Sequence, residues 1–290
     1  MDFLYARSWD DAVRAKADRP DAVPISGGTD LMVDLNFDRR RPAALLDLTA
    51  VEELTEWQQI GGVVRIGAGL CFTRVIDEIG ALAPGLAIAA RTIGSPQIRN
   101  RATLAGNLAT ASPAGDALPP LLVADATVEV ASTRGERTVA VRDFFLGPKR
   151  SVLEADELIR AVRVPVAAGP QQFAKVGTRN AMVIAVCSFA LALHPDRRSV
   201  AGCIGSAGPT VLPTPDAEEF LEAELTDRGL WDSRAELDAA VVTRFGELAA
   251  AAARPIDDVR GTASYRRHAV GVLARRTLTW AWTEYRRSDG

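Results

Sequence analysis

The sequence contains few of the residues that build most metal and catalytic centres. It has three cysteines and two histidines in 290 residues, and no two cysteines form a C-x-x-C pair. Zinc sites and cysteine-held iron–sulfur clusters need clustered ligands, so the sequence predicts neither within this chain. We expect Cys71, Cys187 and Cys203 to be buried free thiols. The isolated His194 and His268 are predicted to have structural roles.

Long apolar runs and a large excess of one charge are also missing. No stretch approaches the roughly 18 apolar residues of a membrane helix. The N-terminal sequence MDFLYARSWDD lacks the basic and apolar regions of a secretory signal. The net charge is −3, so nothing general favours nucleic acid binding. These absences predict a cytoplasmic protein without membrane insertion.

The common nucleotide-binding and nucleophile motifs are incomplete. GAGLCF begins like the dinucleotide fingerprint G-x-G-x-x-G, but Phe72 stands where the third glycine is needed. No G-x-x-x-x-G-K-[ST] motif occurs, which leaves no sequence evidence for a P-loop. CIGSAG has Ile204 where a nucleophile elbow requires glycine. None of these three site types is therefore predicted.

What is present predicts an α+β protein with two domains, residues 1–168 and 169–290. In the first, strands and helices over residues 1–50 form one lobe, and residues 51–168 form a second lobe with hairpins at Gly61-Gly62 and at residues 134–136. The stretch from Gly94 to Pro120 is expected to be irregular. The second domain begins with strands and ends with helices, one of them starting near Ser233.

Two stretches rich in small residues carry the strongest chemical signal. In PISGGTDLM, from Pro24 to Met32, a glycine pair after an apolar run lets a ligand approach the main chain. The helix predicted to follow leaves unpaired N–H groups, which favour a diphosphate. In TLAGNLATASPAGD, from Thr103 to Asp116, small residues alternate with hydroxyl, amide and carboxylate groups that suit a nucleotide cofactor. A tight turn and a packed Ω-loop are the alternatives at these two stretches.

Taken together, five segments resemble the FAD-binding medium subunit of molybdenum hydroxylases, the family of xanthine dehydrogenase and carbon monoxide dehydrogenase. The resemblance covers essentially the whole chain. It implies a two-lobed FAD-binding domain of p-cresol-methylhydroxylase type, followed by a C-terminal α+β domain with a small antiparallel sheet and helices. The segments are PISGGTDLM, QIRNRATLAGNLATASPAGDALP, DELIRAVRVP, FAKVGTRNAMVIAV and SYRRHAVGVLARRTL.

The resemblance also implies which residues contact FAD. Main-chain N–H groups of the first stretch would wrap the pyrophosphate and those of the second would form another cradle, while Asp116 would bond a ribose or ribityl hydroxyl. Ala105 replaces the first glycine of the family's T-x-G-G-N, so its backbone must avoid positive φ or its methyl must fit near FAD. The predicted FAD-binding residues are Pro24, Ile25, Ser26, Gly27, Gly28, Thr29, Asp30, Leu31, Ile93, Thr103, Leu104, Ala105, Gly106, Asn107, Ser112, Asp116, Ile159 and Lys175.

By the same resemblance, this chain is an electron-transfer subunit with no catalytic residue or metal of its own. A large subunit with the molybdopterin cofactor and a small subunit with [2Fe-2S] clusters are the implied partners, in a dimer of heterotrimers. FAD would pass electrons from the iron–sulfur subunit to an external acceptor. A stand-alone flavin oxidase or dehydrogenase and an assembly module without FAD are the alternative functions. Its scarce histidines argue against the oxidase, because such an enzyme needs a catalytic base.

The C-terminal segment is rich in arginine, including Arg266, Arg275 and Arg276. Apolar residues recur there at spacings of three to five, which predicts a helix with one face on the domain core and arginines on the others. We expect either a solvated basic helix or a surface that meets acidic groups on a partner subunit. In the second case Trp280 or Trp282 is the predicted anchor.

Overall fold

A three-stranded parallel sheet forms the first lobe of the computed structural model, which describes residues 1–288. Ser8 accepts a hydrogen bond from the N–H of Asp11 at 3.2 Å and so caps the first helix. The strands and helices of this lobe are β1 (Asp2–Tyr5), α1 (Trp9–Asp18), β2 (Val23–Ile25), α2 (Leu31–Asn36) and β3 (Ala44–Asp47). Strand β3 lies between β1 and β2, which places the end of β2 and the start of α2 at one edge of the lobe.

The second lobe combines an antiparallel sheet with short helices. Its elements are β4 (Trp57–Ile60), β5 (Val63–Gly67), α3 (Phe72–Arg74) with a π-helical continuation over Val75–Ile79, α4 (Pro84–Arg91), α5 (Pro96–Arg99), α6 (Leu104–Thr110), α7 (Leu118–Val123), β6 (Thr127–Ser132), β7 (Gly135–Ala140), α8 (Val141–Phe144), β8 (Phe145–Gly147), β9 (Arg150–Ser151) and β10 (Leu158–Pro165). The five-stranded sheet has the order β4-β5-β10-β6-β7. Both predicted hairpins are confirmed as β4–β5 and β6–β7.

The expectation of an irregular segment from Gly94 to Pro120 was wrong, because α5, α6 and the start of α7 lie within it. Ser95 and Thr103 cap the first two of these helices, accepting hydrogen bonds from the N–H groups of Ile98 and Gly106. Helices this short are not stable alone. They form here because tertiary packing buries side chains such as those of Leu104 and Leu108.

A four-stranded antiparallel sheet packed against helices makes up the remainder of the chain. Its elements are β11 (Gln171–Val176), β12 (Cys187–His194), β13 (Ser199–Gly205), β14 (Leu212–Pro213), α9 (Pro215–Asp227), α10 (Leu230–Ser233), α11 (Ala239–Ala252) and α12 (Ala263–Arg287). The strand order is β11-β12-β13-β14. Alternate residues of β12 join two cores: Phe189 and Leu191 pack with the C-terminal helices, and Ala190 and Ala192 pack with the second lobe. Burial on both faces explains the continuous apolar run of β12.

The helix expected from about Ser233 begins only at Ala239, where Asp238 caps it. Arg234 has a left-handed backbone, with φ of 50°, and its guanidinium lies 4.9 Å from the ring centroid of Tyr285. That conformation ends α10 and prevents one continuous helix. The predicted α+β class and the C-terminal sheet with helices are confirmed. Within residues 1–288, no helix combines the length and apolar character needed to span a bilayer.

Candidate functional site

The connection between β2 and α2 presents a run of backbone N–H groups without acceptors. Among residues 1–288, none accepts a hydrogen bond from the main-chain N–H groups of residues 26–31. The first turn of a helix leaves such donors unpaired, and the residues before α2 extend the run. Consecutive unpaired amides form a concave donor surface that suits an anion.

Glycine is required at both positions 27 and 28 of this connection, for a different physical reason at each. Gly28 has a φ of +73°, the left-handed region that side chains disfavour. Gly27 lies against another segment, because a Cβ atom added to it would be 2.0 Å from the carbonyl oxygen of Arg101. Gly28 therefore sets the path of the loop, and Gly27 permits its contact with the turn before α6.

The segment Thr103–Asn107 is the N-terminal part of α6. The Thr103 hydroxyl accepts from the N–H of Gly106 at 3.0 Å, and the Thr103 carbonyl accepts from the N–H of Asn107 at 3.1 Å. The N–H groups of Gly106 and Asn107 therefore already have hydrogen-bond acceptors within the helix. Ala105 is helical and does not have a positive φ, so alanine meets the backbone requirement at this position. Its methyl group is buried.

The structure brings the two predicted stretches together. Gly27 contacts the Arg101–Ala102 backbone directly before α6, and the Thr110 hydroxyl lies 3.1 Å from Oδ2 of Asp30. Helix α6 also packs against β10, the strand that carries the buried Ile159. Segments far apart in sequence therefore meet at one place, between the two lobes.

Asp116 is a buried carboxylate at the end of the loop that follows α6. Its side chain is 9% exposed, and Oδ2 accepts a hydrogen bond from Nζ of Lys175 at 2.6 Å. Burial raises the pKa of Asp116 to about 6, although the Lys175 ammonium acts in the opposite direction. Near neutral pH, Asp116 is a carboxylate whose charge is sensitive to its environment.

Lys175 connects three segments around this carboxylate. In addition to Asp116, its ammonium donates to the carbonyl oxygens of Thr92 at 2.8 Å and Val183 at 3.2 Å. An ammonium has three N–H donors, so all of them are engaged. The predicted direct contact between Lys175 and FAD would require the ammonium to release one of these partners. Ile93, also on the predicted list, follows Thr92 and is partly buried.

Two buried acceptors near this point lack partners. Oδ1 of Asn107 and Oδ1 of Asp116 accept no hydrogen bond from the residues that the structure describes. A buried polar atom without a hydrogen-bond partner costs free energy of folding. A hydroxyl group of a bound ligand could donate to each of these two oxygen atoms and remove that cost. Donor amides at residues 26–31 and acceptors at Asn107 and Asp116 together match a ligand with a diphosphate and sugar or polyol hydroxyls.

Sequence reasoning missed the residues that hold these groups in place. The N–H of Ser206 donates to the carbonyl of Pro113 at 2.8 Å, which ties the C-terminal sheet to the loop of Ser112 and Asp116. Ser206 has a φ of 59° and is buried. The carbonyls of Thr92 and Val183 were likewise unpredictable, because main-chain groups leave no signal in residue identity. Ser112 accepts from the N–H of Ala114 at 3.3 Å and so shapes its own loop.

Comparison with protein families assigns both parts of the chain. Residues 1–167 match the FAD binding domain in molybdopterin dehydrogenase. Residues 172–281 match the CO dehydrogenase flavoprotein C-terminal domain. The two matches together cover the elements that hold the clustered site residues.

Individual relatives agree with these matches over nearly their full length. The nicotine 6-hydroxylase medium subunit of Paenarthrobacter nicotinovorans is 32% identical, covering 94% of this chain and 94% of that protein. The carbon monoxide dehydrogenase medium chain of Hydrogenophaga pseudoflava is 29% identical, covering 90% of each. The crystal structure of quinoline 2-oxidoreductase from Pseudomonas putida 86 superposes with a TM-score of 0.90 at 25% identity, covering 99% of this chain and 98% of that chain.

Proposed function

We propose that this chain relays electrons from an iron–sulfur subunit through FAD to an external acceptor. The chain belongs to the family of the FAD binding domain in molybdopterin dehydrogenase and is a medium subunit of molybdenum hydroxylases. Family membership makes it an oxidoreductase subunit with an FAD-binding domain. The proposal adds the route of the electrons. Bound FAD would supply the ability to accept two electrons and to release them one at a time.

The run of unpaired amides at residues 26–31 is the observation that best supports FAD at this site. These donors match the pyrophosphate, and the partnerless Oδ1 atoms of Asn107 and Asp116 match hydroxyl groups of the ribityl chain or ribose. Lys175 would hold Asp116 in position rather than contact FAD, since its donors are engaged. The main-chain contribution predicted for Gly106 and Asn107 is weakened, because both amides already have acceptors.

The partners belong to the proposal as well. The names of the relatives, medium subunit and medium chain, support a complex with other subunits. We take these to be a large molybdopterin-binding subunit and a small subunit with [2Fe-2S] clusters, assembled as a dimer of heterotrimers.

Purification of the tagged chain from its native cell tests this function. The expected result is a yellow complex that contains noncovalent FAD, molybdenum and an iron–sulfur subunit in fixed proportion. Reduction of the flavin should follow addition of a substrate of the large subunit, and the isolated medium chain should reduce no acceptor with that substrate. A colourless chain prepared with abundant flavin, or an isolated chain that itself oxidises an organic donor, would contradict the proposal.

The C-terminal helix α12 offers one surface for a partner. Trp282 is buried and donates through Nε1 to the carbonyl of Ala235 at 2.9 Å, so its predicted role as an anchor was wrong. Arg266 is buried too, contrary to the expected surface position. Trp280 is 45% exposed, and Arg276 is exposed nearby on the same helix. The surface hypothesis is thus restricted to the outer face of α12.

Charge reversal of Arg275 and Arg276 to glutamate should weaken assembly with the other subunits and leave the FAD content unchanged. Neither arginine forms an ion pair within residues 1–288. Arg276 is exposed and Arg275 is half-buried, so the guanidinium of Arg276 above all is available for acidic groups on a partner. Co-purification at moderate salt measures the effect. The same reversal at Lys149 and Arg150, an exposed consecutive basic pair outside α12 that likewise forms no ion pair within residues 1–288, is the matched control. Recovery of the other subunits in full stoichiometry with the Arg275/Arg276 variant would mean that this face of α12 is exposed to solvent in the complex and contacts no partner.

A further inference from the structure

Arg266, near the start of α12, is a buried arginine that the candidate site does not include. Its side chain is 1% exposed and pairs with Asp258. Its Nε has no hydrogen-bond acceptor among the residues that the structure describes. Burial of a charged group with an unpaired donor costs free energy, so an apolar side chain of similar size would serve stability as well or better. What arginine adds at this position is the geometry that its hydrogen bonds impose.

The guanidinium of Arg266 joins two neighbouring strand ends. Its Nη1 carries two hydrogens and donates to the carbonyl of Val186 at 2.9 Å and to the carbonyl of Ser206 at 2.7 Å. Val186 directly precedes β12, and Ser206 directly follows β13. One nitrogen atom on α12 therefore holds the start of β12 beside the end of β13.

Ser206 connects this end of the sheet to the loop of Asp116. Its N–H donates to the carbonyl of Pro113 at 2.8 Å, and its Oγ donates to the carbonyl of Ala185 at 2.7 Å. Ser206 has a φ of 59°, a left-handed conformation that a residue other than glycine keeps only where its surroundings hold it. The bond from Arg266 is one of the contacts that hold it. A shift of Ser206 would therefore be passed to Pro113 and the Asp116 loop.

Val186 connects the same end of the sheet to the strand of Lys175. The N–H of Val186 donates to the carbonyl of Val176 at 2.7 Å, and Val176 follows Lys175 at the end of β11. From this strand end the Lys175 ammonium donates to Asp116 at 2.6 Å. Arg266 is thus connected to both members of one buried ion pair, to Asp116 by one route and to Lys175 by the other.

We propose that Arg266 is a positioning residue of the FAD site, which sets the relation between the Asp116 carboxylate and the Lys175 ammonium from α12. The assignment rests on the proposed function. Oδ1 of Asp116 is buried without a partner, so its orientation toward a cofactor hydroxyl depends on how firmly Oδ2 and the surrounding loop are held. This role requires no contact between Arg266 and FAD. It makes the C-terminal helix a determinant of cofactor affinity.

The variant Arg266→Lys tests the assignment in FAD titrations of the deflavinated chain between pH 5 and 8. Lysine keeps the charge and lacks the planar fork that bonds two carbonyls and a carboxylate together. FAD affinity should fall by about three- to tenfold, less than after outright loss of the Asp116 carboxylate. Because Lys175 lowers the pKa of Asp116, a looser pair raises that pKa. The pH at which affinity begins to fall should therefore move upward.

Trp282→Phe is the matched control, toward the other end of the same helix. Trp282 is also buried, and the substitution removes its hydrogen bond from Nε1 to the carbonyl of Ala235. The control should lower the melting temperature, as Arg266→Lys does, and leave FAD affinity and its pH midpoint unchanged. Asp258→Asn is a milder second variant, because it takes the charge from a partner of Arg266. It should change both quantities in the same direction as Arg266→Lys, by less.

Each outcome decides the assignment. Lower affinity with a raised midpoint in Arg266→Lys, and neither change in Trp282→Phe, would support it. Unchanged affinity, an unchanged midpoint, or equal losses in the two variants would overturn it. If Arg266→Lys does not fold, Asp258→Asn against Trp282→Phe decides by the same criteria. An unmodified chain that binds no FAD would refute the proposed function itself, whereas normal FAD binding by Arg266→Lys would refute this assignment alone.

Discussion

Gly28→Val should release FAD and leave a folded chain. Gly28 has a φ of +73°, where a β-branched residue is strained by roughly 1–2 kcal/mol or more. The loop at residues 26–31 would relieve this strain by rotating the peptide groups next to position 28. Their N–H groups would then no longer point to one pyrophosphate. Loss of two charge-assisted hydrogen bonds, each worth about 1.5–3 kcal/mol, should weaken FAD affinity at least about a hundredfold. Titration of the deflavinated chain with FAD, followed by flavin fluorescence, measures this change.

Gly61→Val is the matched control for this substitution. Gly61 also has a left-handed φ, +58°, but it lies in the β4–β5 hairpin and no heavy atom lies within 4 Å of an added Cβ. Both variants should therefore lose stability from backbone strain, and only Gly28→Val should lose the cofactor. Equal FAD affinity in the two variants would show that residues 26–31 do not bind the pyrophosphate.

The fold was predictable where one local signal determined the conformation. Ser8 followed by Asp10 and Asp11 is a sequence signal for a helix start, and α1 begins there. Gly61-Gly62 between β-rich runs predicted a hairpin, which β4 and β5 form. The segment around α5 and α6 was not predictable in this way, because its residues have opposing preferences: alanine and leucine favour a helix, whereas glycine, proline, serine and asparagine favour turns. Packing against the rest of the lobe decides between them, and Ser95 and Thr103 were the only caps that could have indicated the helices.

The sequence predicted which segments form the candidate site. It did not predict the hydrogen bonds that connect those segments to one another. Gly27, Gly28, Asn107 and Asp116 carry features visible in the sequence, and the structure gathers their segments. No pattern indicated that Lys175 pairs with Asp116, since the two residues are far apart in the chain, Asp116 in the loop before α7 and Lys175 in β11. The FAD contacts themselves remain predictions. The structure separates residues whose donors or acceptors lack a partner, and so could bind FAD, from residues such as Lys175 that hold those residues in place.

Asp116 should make FAD binding depend on pH. The Oδ1 atom is buried and free to accept from a cofactor hydroxyl, and Oδ2 is held by Lys175. Asp116→Ala should weaken FAD affinity by about tenfold or more, because a hydrogen bond to a charged group is worth roughly 1.5–3 kcal/mol. Asp116→Asn retains a neutral acceptor of similar shape and should lose less. Lys175→Met should also weaken binding, through the position and charge of Asp116.

The sign of the pH effect follows from the pKa of Asp116, about 6 in the chain without cofactor. A donor hydroxyl stabilises the carboxylate, so FAD binding should lower this pKa. Affinity is then complete above about pH 6 and falls as the pH drops through that value, by at most about tenfold per pH unit. FAD titrations of the unmodified chain and Asp116→Asn between pH 5 and 8 test this directly. Equal slopes in the two profiles would remove Asp116 from the binding site, whereas a slope that disappears only in Asp116→Asn would place its ionised carboxylate on the cofactor.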